Sequence, residues 1–337
     1  MKKVLSLSLA ILMAVSLLSL AACGEKETYK LGLGVNSYIE KVTNAEGDTN
    51  GTGEVVTTVA AVIIDSNERI VKCEIDTTDN KVEFTAEGKF AATQNEFKTK
   101  YEQGENYGMV KYGNAKSEWF EQVDAYEKFL VGKNMNEVNN FVGKDKKGTD
   151  EVVKAGCTIM IDDFAVAIGR AISNAKEADV SKDDVLNLGV VSTQTGSKDA
   201  TEEKDGVNEV DITVVAAALN SKGKVTGMVT DALQTKILFD TKGVAKNTMS
   251  EPFSTKLELG VNYNMAKYGQ DLNGDGQIKE WYLQSAEFSK ACVGKDAKGI
   301  AALVTDKGYG TDELQAAGCT IAIDDMVKAA VKAAKAS

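Results

Sequence analysis

The chain has 337 residues with 39 basic and 50 acidic side chains, a formal net charge of −11. So acidic a surface repels nucleic acid and anionic lipid headgroups, and neither is an expected partner. Histidine is absent, which excludes Ser/His/Asp and Cys/His catalysis, histidine-ligated haem and most catalytic zinc arrangements.

Met1-Lys2-Lys3 opens an uncharged apolar stretch, Val4 to Leu20, that ends in Leu20-Ala21-Ala22-Cys23. This is the pattern of a cleaved lipoprotein signal peptide over residues 1–22. Small residues fit the narrow pocket of the peptidase, and the thiol of Cys23 takes the diacylglyceryl group. The stretch is short for a bilayer span and lacks a positive distal flank, both of which an uncleaved anchor would need. Residues 23–28 then form a lipidated tether, and the chain is expected on the extracytoplasmic face of a cell membrane, held by its lipid. Cleavage leaves roughly 315 residues, enough for two domains with cores of their own.

Val55 to Ile64 and Arg69 to Ile75 are β-branched runs separated by Asp65-Ser66-Asn67-Glu68, which predicts an antiparallel hairpin, with Lys81 to Thr85 as a further strand. Trp119, Val123, Tyr126 and Leu130 recur at helical spacing and predict an amphipathic helix ended by Gly132. Thr158-Ile159-Met160-Ile161 alternates like a short strand. Asp162 is placed to cap a second helix carrying Phe164, Ile168, Ile172 and Ala175.

Most of these features occur twice. Glu54-Val55 and Phe84 fall on Glu209-Val210 and Phe239; Lys100, Gly104, Tyr107 and Met109 on Lys256, Gly260, Tyr263 and Met265. Glu118-Trp119, Gly148-Thr149-Asp150-Glu151 and Ala155-Gly156-Cys157-Thr158-Ile159 fall on Glu280-Trp281, Gly310-Thr311-Asp312-Glu313 and Ala317-Gly318-Cys319-Thr320-Ile321. The expected organisation is α+β: two tandem homologous domains, 29–175 and 185–337, joined by an acidic linker at 176–184. Each would hold a mostly antiparallel sheet with two main helices on one face. The alignment puts Cys292 on the buried helix stripe opposite Leu130 and Cys73 opposite Met228, both as small core residues. No CxxC spacing occurs, so the cysteines suggest neither a metal knuckle nor a disulfide framework.

The repeated Ala-Gly-Cys-Thr-Ile segment, preceded by an acidic pair and followed by a two-Asp helix start, resembles the FMN-binding domain family of bacterial envelope redox proteins. The Tyr-Gly-Met-Val-Lys-Tyr-Gly and Lys-Ser-Glu-Trp-Phe-Glu-Gln segments resemble those of lipoproteins that carry such domains in tandem. The resemblance implies FMN held at Thr158 and Thr320 through a phosphoester, with Gly156 and Gly318 allowing close approach, and an envelope redox partner. Ala155 and Ala317 stand where the family has Ser or Thr, Cys157 and Cys319 where it has Ala, and Val152 and Leu314 where it has Asp. The residues themselves leave three options: covalent flavin, a noncovalent planar ligand, or a tight turn with a buried Cys and a self-capped helix. Trp119, Trp281, Tyr107 and Tyr263 could stack on a flavin ring or fill the core.

Asp271-Leu272-Asn273-Gly274-Asp275-Gly276-Gln277-Ile278 has the first two-thirds of a calcium loop, with Asp271, Asn273, Asp275 and Gln277 as ligands and Gly276 for the turn. Tyr282 stands where a bidentate Glu would close the site, and the same residues also suit a polar hairpin tip. Gly32-Leu33-Gly34 lacks the third glycine of a dinucleotide fingerprint, and no P-loop or Gly-x-Ser-x-Gly is present. Asp162-Asp163 and Asp324-Asp325 fit helix starts better than glycosidase acids. Two functions follow as expectations: an extracytoplasmic electron carrier or flavin-binding lipoprotein, and a non-redox ligand-binding or adhesion lipoprotein on the same fold. A carrier or binding role is favoured over an enzyme's.

Overall fold

The computed structural model describes residues 27–91, 97–247, 252–268 and 278–335. Cys23 and the Asp271, Asn273, Asp275 and Gln277 loop lie outside the described residues. The fold is α+β. In the first half, β1 (Tyr29–Thr43), β2 (Gly51–Ile64), β3 (Ile70–Phe84) and β4 (Phe90–Ala91) precede the helices. These are α1 (Lys100–Gln103), α2 (Met109–Gly113), α3 (Trp119–Leu130), α4 (Met135–Asn140), α5 (Asp150–Ala155) and α6 (Asp162–Asn174). A short β5 (Lys176–Ala178) leads to β6 (Val185–Thr193), β7 (Gly206–Leu219) and β8 (Val225–Phe239). The second helical set is α7 (Lys256–Leu259), α8 (Met265–Tyr268), α9 (Trp281–Cys292), α10 (Ala297–Ala301), α11 (Asp312–Ala316) and α12 (Asp324–Ala333).

All pairings are antiparallel, in a five-stranded sheet ordered β4-β3-β2-β1-β5 and a three-stranded sheet ordered β6-β7-β8. The central strands read as nearly unbroken apolar runs because both of their faces are buried. Along β2, Val55, Val59, Ala61 and Ile63 face the other sheet, whereas Ala60, Val62 and Ile64 face the helices. Four layers result: helices, sheet, sheet, helices. Each sheet has its own helix-side core, and the cluster between the sheets draws on both halves.

The halves meet through matched contacts. Ala45 N–H donates to Gly243 O at 2.8 Å, and Ala200 N–H donates to Gly88 O at 2.7 Å. Phe97 N–H reaches Ser192 O at 3.3 Å as Phe253 N–H reaches Ser37 O at 2.7 Å. Arg170 lies 3.4 Å from Glu258, and Lys332 lies 2.7 Å from Glu102. Between them the rings of Phe84 and Phe239 stack with centroids 4.6 Å apart at 3°. Pairs that exchange places in this way are the signature of a two-fold relation, as at an isologous dimer interface.

Helices approach β1 and β6 closely, and glycine makes the approach feasible. A Cβ at Gly34 would lie 2.1 Å from Ala167 O, and one at Gly189 would lie 1.9 Å from Ala329 O. These glycines therefore serve helix–sheet packing. The fifteen residues of β1 form a strand that the sequence pattern had not assigned.

Three further expectations are corrected. Arg69–Ile75 and Lys81–Thr85 are one strand: the polar Asp76-Thr77-Thr78-Asp79-Asn80 stretch keeps its ladder with β2, from Thr78 opposite Thr57 to Asp79 opposite Val56. Thr158–Ile161 is no strand and contributes only the isolated bridge between Met160 and Lys147. Asp162 does not cap α6; the N-cap position is Ile161, without a side-chain bond, and Asp162 pairs with Lys146 at 3.0 Å. Within the stretch read as a linker, Lys176–Ala178 pairs with Tyr29–Leu31 of β1. The Asp65 turn forms as expected, with the Asp65 carboxylate accepting from Asn67 N and Arg69 N at 2.8 and 2.9 Å.

Candidate functional site

Helices α5 and α11 lead into the paired Ala-Gly-Cys-Thr segments. Gly156 adopts φ 115° and Gly318 φ 98°, left-handed values at which an L side chain is strained. The Gly156 N–H turns back to Val152 and Val153 carbonyls and closes the helix. The glycine thus serves the helix end, a place where the carbonyl dipoles disfavour an anion.

Thr158 follows directly, and its partner is Gln122 on α3. The Gln122 carbonyl oxygen accepts from Thr158 N at 2.9 Å and from Thr158 Oγ1 at 2.8 Å, while its amide donates to Ser117 O at 3.1 Å. Gln284 repeats this, accepting from Thr320 N at 2.8 Å, Thr320 Oγ1 at 3.2 Å and Ile321 N at 3.2 Å, and donating to Lys279 O at 2.8 Å. Both glutamines are buried, so each bonded loop is pinned to the neighbouring helix by a group that water does not compete for. Sequence reasoning missed Gln122 and Gln284. A signal existed, since Glu-Trp-x-x-Gln recurs as Glu118-Trp119 with Gln122 and Glu280-Trp281 with Gln284. Glu118 itself accepts from Met109 N and Val110 N at 2.8 and 3.1 Å, and Glu280 from Met265 N at 3.0 Å.

The residues around these threonines do not fit a flavin phosphate. Asp162 and Asp163 occupy the first turn of α6, Asp324 and Asp325 that of α12, where their charge takes the place an anion would use. Asp163 is tied to β1, accepting from Asn36 Nδ2 at 2.9 Å and Tyr38 OH at 2.8 Å. The Cys157 and Cys319 thiols are buried, and burial pushes them up to about 11 and about 12, so neither is a ready thiolate. Trp119 and Trp281 are only 4% and 3% exposed. Trp119 packs edge-on to Phe164 at 6.1 Å. Both tryptophans are core residues. Cys73 and Cys292 are likewise buried and free.

A cavity of about 710 Å³ lies beside Trp281, Lys256 and the start of α12, floored by β6, β7 and β8. Its floor includes one row across the three strands: Thr193 opposite Asp211, and Asp211 opposite Gln234. The matching row of the first sheet is Tyr38, Val56 and Asp79. There Tyr38 fills the space by reaching Asp163, and Asp79 pairs with Lys100 at 3.0 Å. Lys100 also lies over the Tyr107 and Trp119 rings, as Lys256 lies over Tyr263 and Trp281 at 5.0 and 5.5 Å. A second cavity of about 620 Å³ opens between the halves, beside Glu74, Asp76, Glu127 and Leu186. Burial pushes both Glu74 and Glu127 above the usual carboxylate range there. Among the described residues no group of three or more His, Cys, Asp or Glu side chains could hold a metal ion.

Asp76 and Asp231 are buried equivalents. Asp76 accepts from Thr77 N at 2.7 Å and Tyr101 N at 3.2 Å; Asp231 accepts from Ala232 N at 2.7 Å and Leu257 N at 3.1 Å. They anchor the starts of α1 and α7 to the sheet edges. Burial raises both to about 7 despite these bonds.

Comparison of the chain with protein-family models, with curated proteins and with solved structures finds no match in any of the three.

Proposed function

We propose that the chain is a lipoprotein of the cell envelope, held to the membrane through Cys23, whose two duplicated halves form one non-redox ligand-binding body. The observation that carries this reading is the state of the two Ala-Gly-Cys-Thr segments. Each threonine is engaged by a buried glutamine, each glycine closes a helix, and each following helix begins with two carboxylates. Those are structural duties, and they oppose a phosphoester at Thr158 or Thr320. The matched contacts across the inter-sheet core support descent of the halves, 29–175 and 185–337, from a duplicated domain that once paired with itself. A signal peptide at 1–22 and calcium in the Asp271, Asn273, Asp275 and Gln277 loop belong to the same proposal. The acidic charge of the chain keeps such a tethered body soluble at the surface.

The test is to purify the full chain from its native envelope in detergent, then record its visible spectrum and intact mass. A colourless protein whose mass shows loss of residues 1–22 and lipidation of Cys23, and no further addition, agrees with the proposal. Flavin absorbance, with a flavin on Thr158 or Thr320 by peptide mass, overturns it and restores an electron carrier with an envelope redox partner.

A further inference from the structure

The cavity of the second half differs from its filled counterpart by three changes in a single row of side chains. Tyr38 is replaced by Thr193, which removes a ring and leaves open space. Val56 is replaced by Asp211, which puts a carboxylate into that space. Asp79 is replaced by Gln234, which removes the carboxylate that holds the lysine in the first half. Each change alone would cost packing or leave a charge unmatched. Together they turn a closed, internally paired surface into a hollow with a cation and an anion held apart.

Two lysines partly offset the other carboxylates at the cavity, Glu209, Asp324 and Asp325. Lys328 lies 2.8 Å from Asp325 and 3.9 Å from Asp324, and Lys236 lies 3.1 Å from Glu209. Lys256 makes no ion pair within 4.0 Å among the described residues, and stays beside Tyr263 and Trp281. Asp211 accepts the Gln234 amide at 2.8 Å. Thr193 is 6% exposed, and its hydroxyl oxygen is buried without a hydrogen-bond partner among the described residues. A buried polar atom left unpaired in a cavity wall is a group waiting for a partner. The volume of about 710 Å³ is in the range of small-molecule sites, ~300–1,000 Å³.

From these observations we infer that the cavity binds a free α-amino acid, its ammonium group toward Asp211 and its carboxylate toward Lys256. A simple anion would meet Asp211 and a simple cation would leave Lys256 unpaired, whereas a ligand with both signs satisfies both. This inference rests on the reading of the chain as a non-redox binding protein.

The test uses the full chain in detergent, with melting temperature followed against the twenty free amino acids, the N-acetyl and methyl-ester forms of any that bind, maltose and FMN. At least one amino acid should raise the melting temperature in a saturable way, and blocking either its amine or its carboxylate should weaken binding at least tenfold. Thr193→Tyr, which installs the filler of the first half, should abolish the shift while the far-ultraviolet dichroism stays native. Should that variant fail to fold, Lys256→Gln should weaken binding at least tenfold. The reciprocal Tyr38→Thr should leave affinity unchanged, because Val56 supplies no carboxylate there. No shift with any amino acid, a shift that survives N-acetylation, or binding untouched by the folded cavity variants overturns the assignment. Maltose binding that Thr193→Tyr removes would overturn the amino acid and keep the binding body. A flavin in the purified protein would overturn the body itself.

Discussion

Truncating the stacked pair at the centre of the molecule asks whether the two halves are one cooperative unit. Phe84 and Phe239 are fully buried, with centroids 4.6 Å apart and planes 3° from parallel. Each belongs to the cluster that both sheets share. Phe84→Ala should cost about 3–5 kcal/mol from lost burial and the void left behind. The ring–ring term is separable: in a double-mutant cycle with Phe239→Ala, the coupling should be about 0.5–1.5 kcal/mol. Equilibrium urea unfolding, followed by tryptophan fluorescence and far-ultraviolet dichroism, measures both quantities. Trp119 and Trp281 report on opposite helical layers, so a shared core predicts one transition, shifted as a whole. Two separated transitions in the wild-type chain, with Phe84→Ala moving only one of them, would refute the reasoning.

Gly34→Ala should lower stability by about 1–3 kcal/mol, since the new methyl would meet Ala167 O at 2.1 Å; Gly113→Ala, where a Cβ meets nothing within 4 Å, should cost less, and the urea midpoints compare them. Burial raises Asp76 and Asp231 to about 7, so the folded state holds protons that the unfolded chain has already lost. Their contribution is fully present below the unfolded value, near ~3.9, and is lost as pH rises through about 7. The melting temperature of the wild type should therefore fall from pH 5 to pH 8 more steeply than that of an Asp76→Asn, Asp231→Asn variant; equal slopes would contradict the burial argument. Gln284→Leu strands the N–H groups of Thr320 and Ile321 and should cost about 1–3 kcal/mol per group left buried without a partner, seen as accelerated amide exchange at those two residues. A calcium chelator should lower the melting temperature, and Asp271→Ala with Asp275→Ala should remove that sensitivity; an unchanged melting curve would leave the loop as a plain turn.

Several features were legible in the chain itself because they are local. The β-branched run of β2 announced a strand, the Trp119, Val123, Tyr126 and Leu130 stripe announced α3, and all four side chains are buried on it. Cys73 and Cys292 lay on buried positions of those patterns and are buried. Where the local signal was ambiguous, the reading went wrong for a definable reason. The glycines of β1 gave no strand signal because their role, close approach of a helix backbone, is tertiary, and the polar Asp76–Asn80 stretch interrupts the strand pattern until β2 is paired along it. The Thr158–Ile161 alternation is real, but the chain there is held by the Gln122 side chain from α3 and never enters a sheet.

The repeat, the apolar stretch before Cys23 and the absence of histidine are properties of the sequence alone and are read without any coordinates. The meeting of the halves through exchanged contacts, the duties of Gln122 and Gln284, and the difference between a filled and a hollow row required the tertiary structure. Tyr38, Val56 and Asp79 are far apart in sequence and adjacent in space only because antiparallel register aligns three strands. Periodicity records which face a side chain takes. What stands beside it on that face depends on pairing across the sheet, and pairing is where the second half departs from the first.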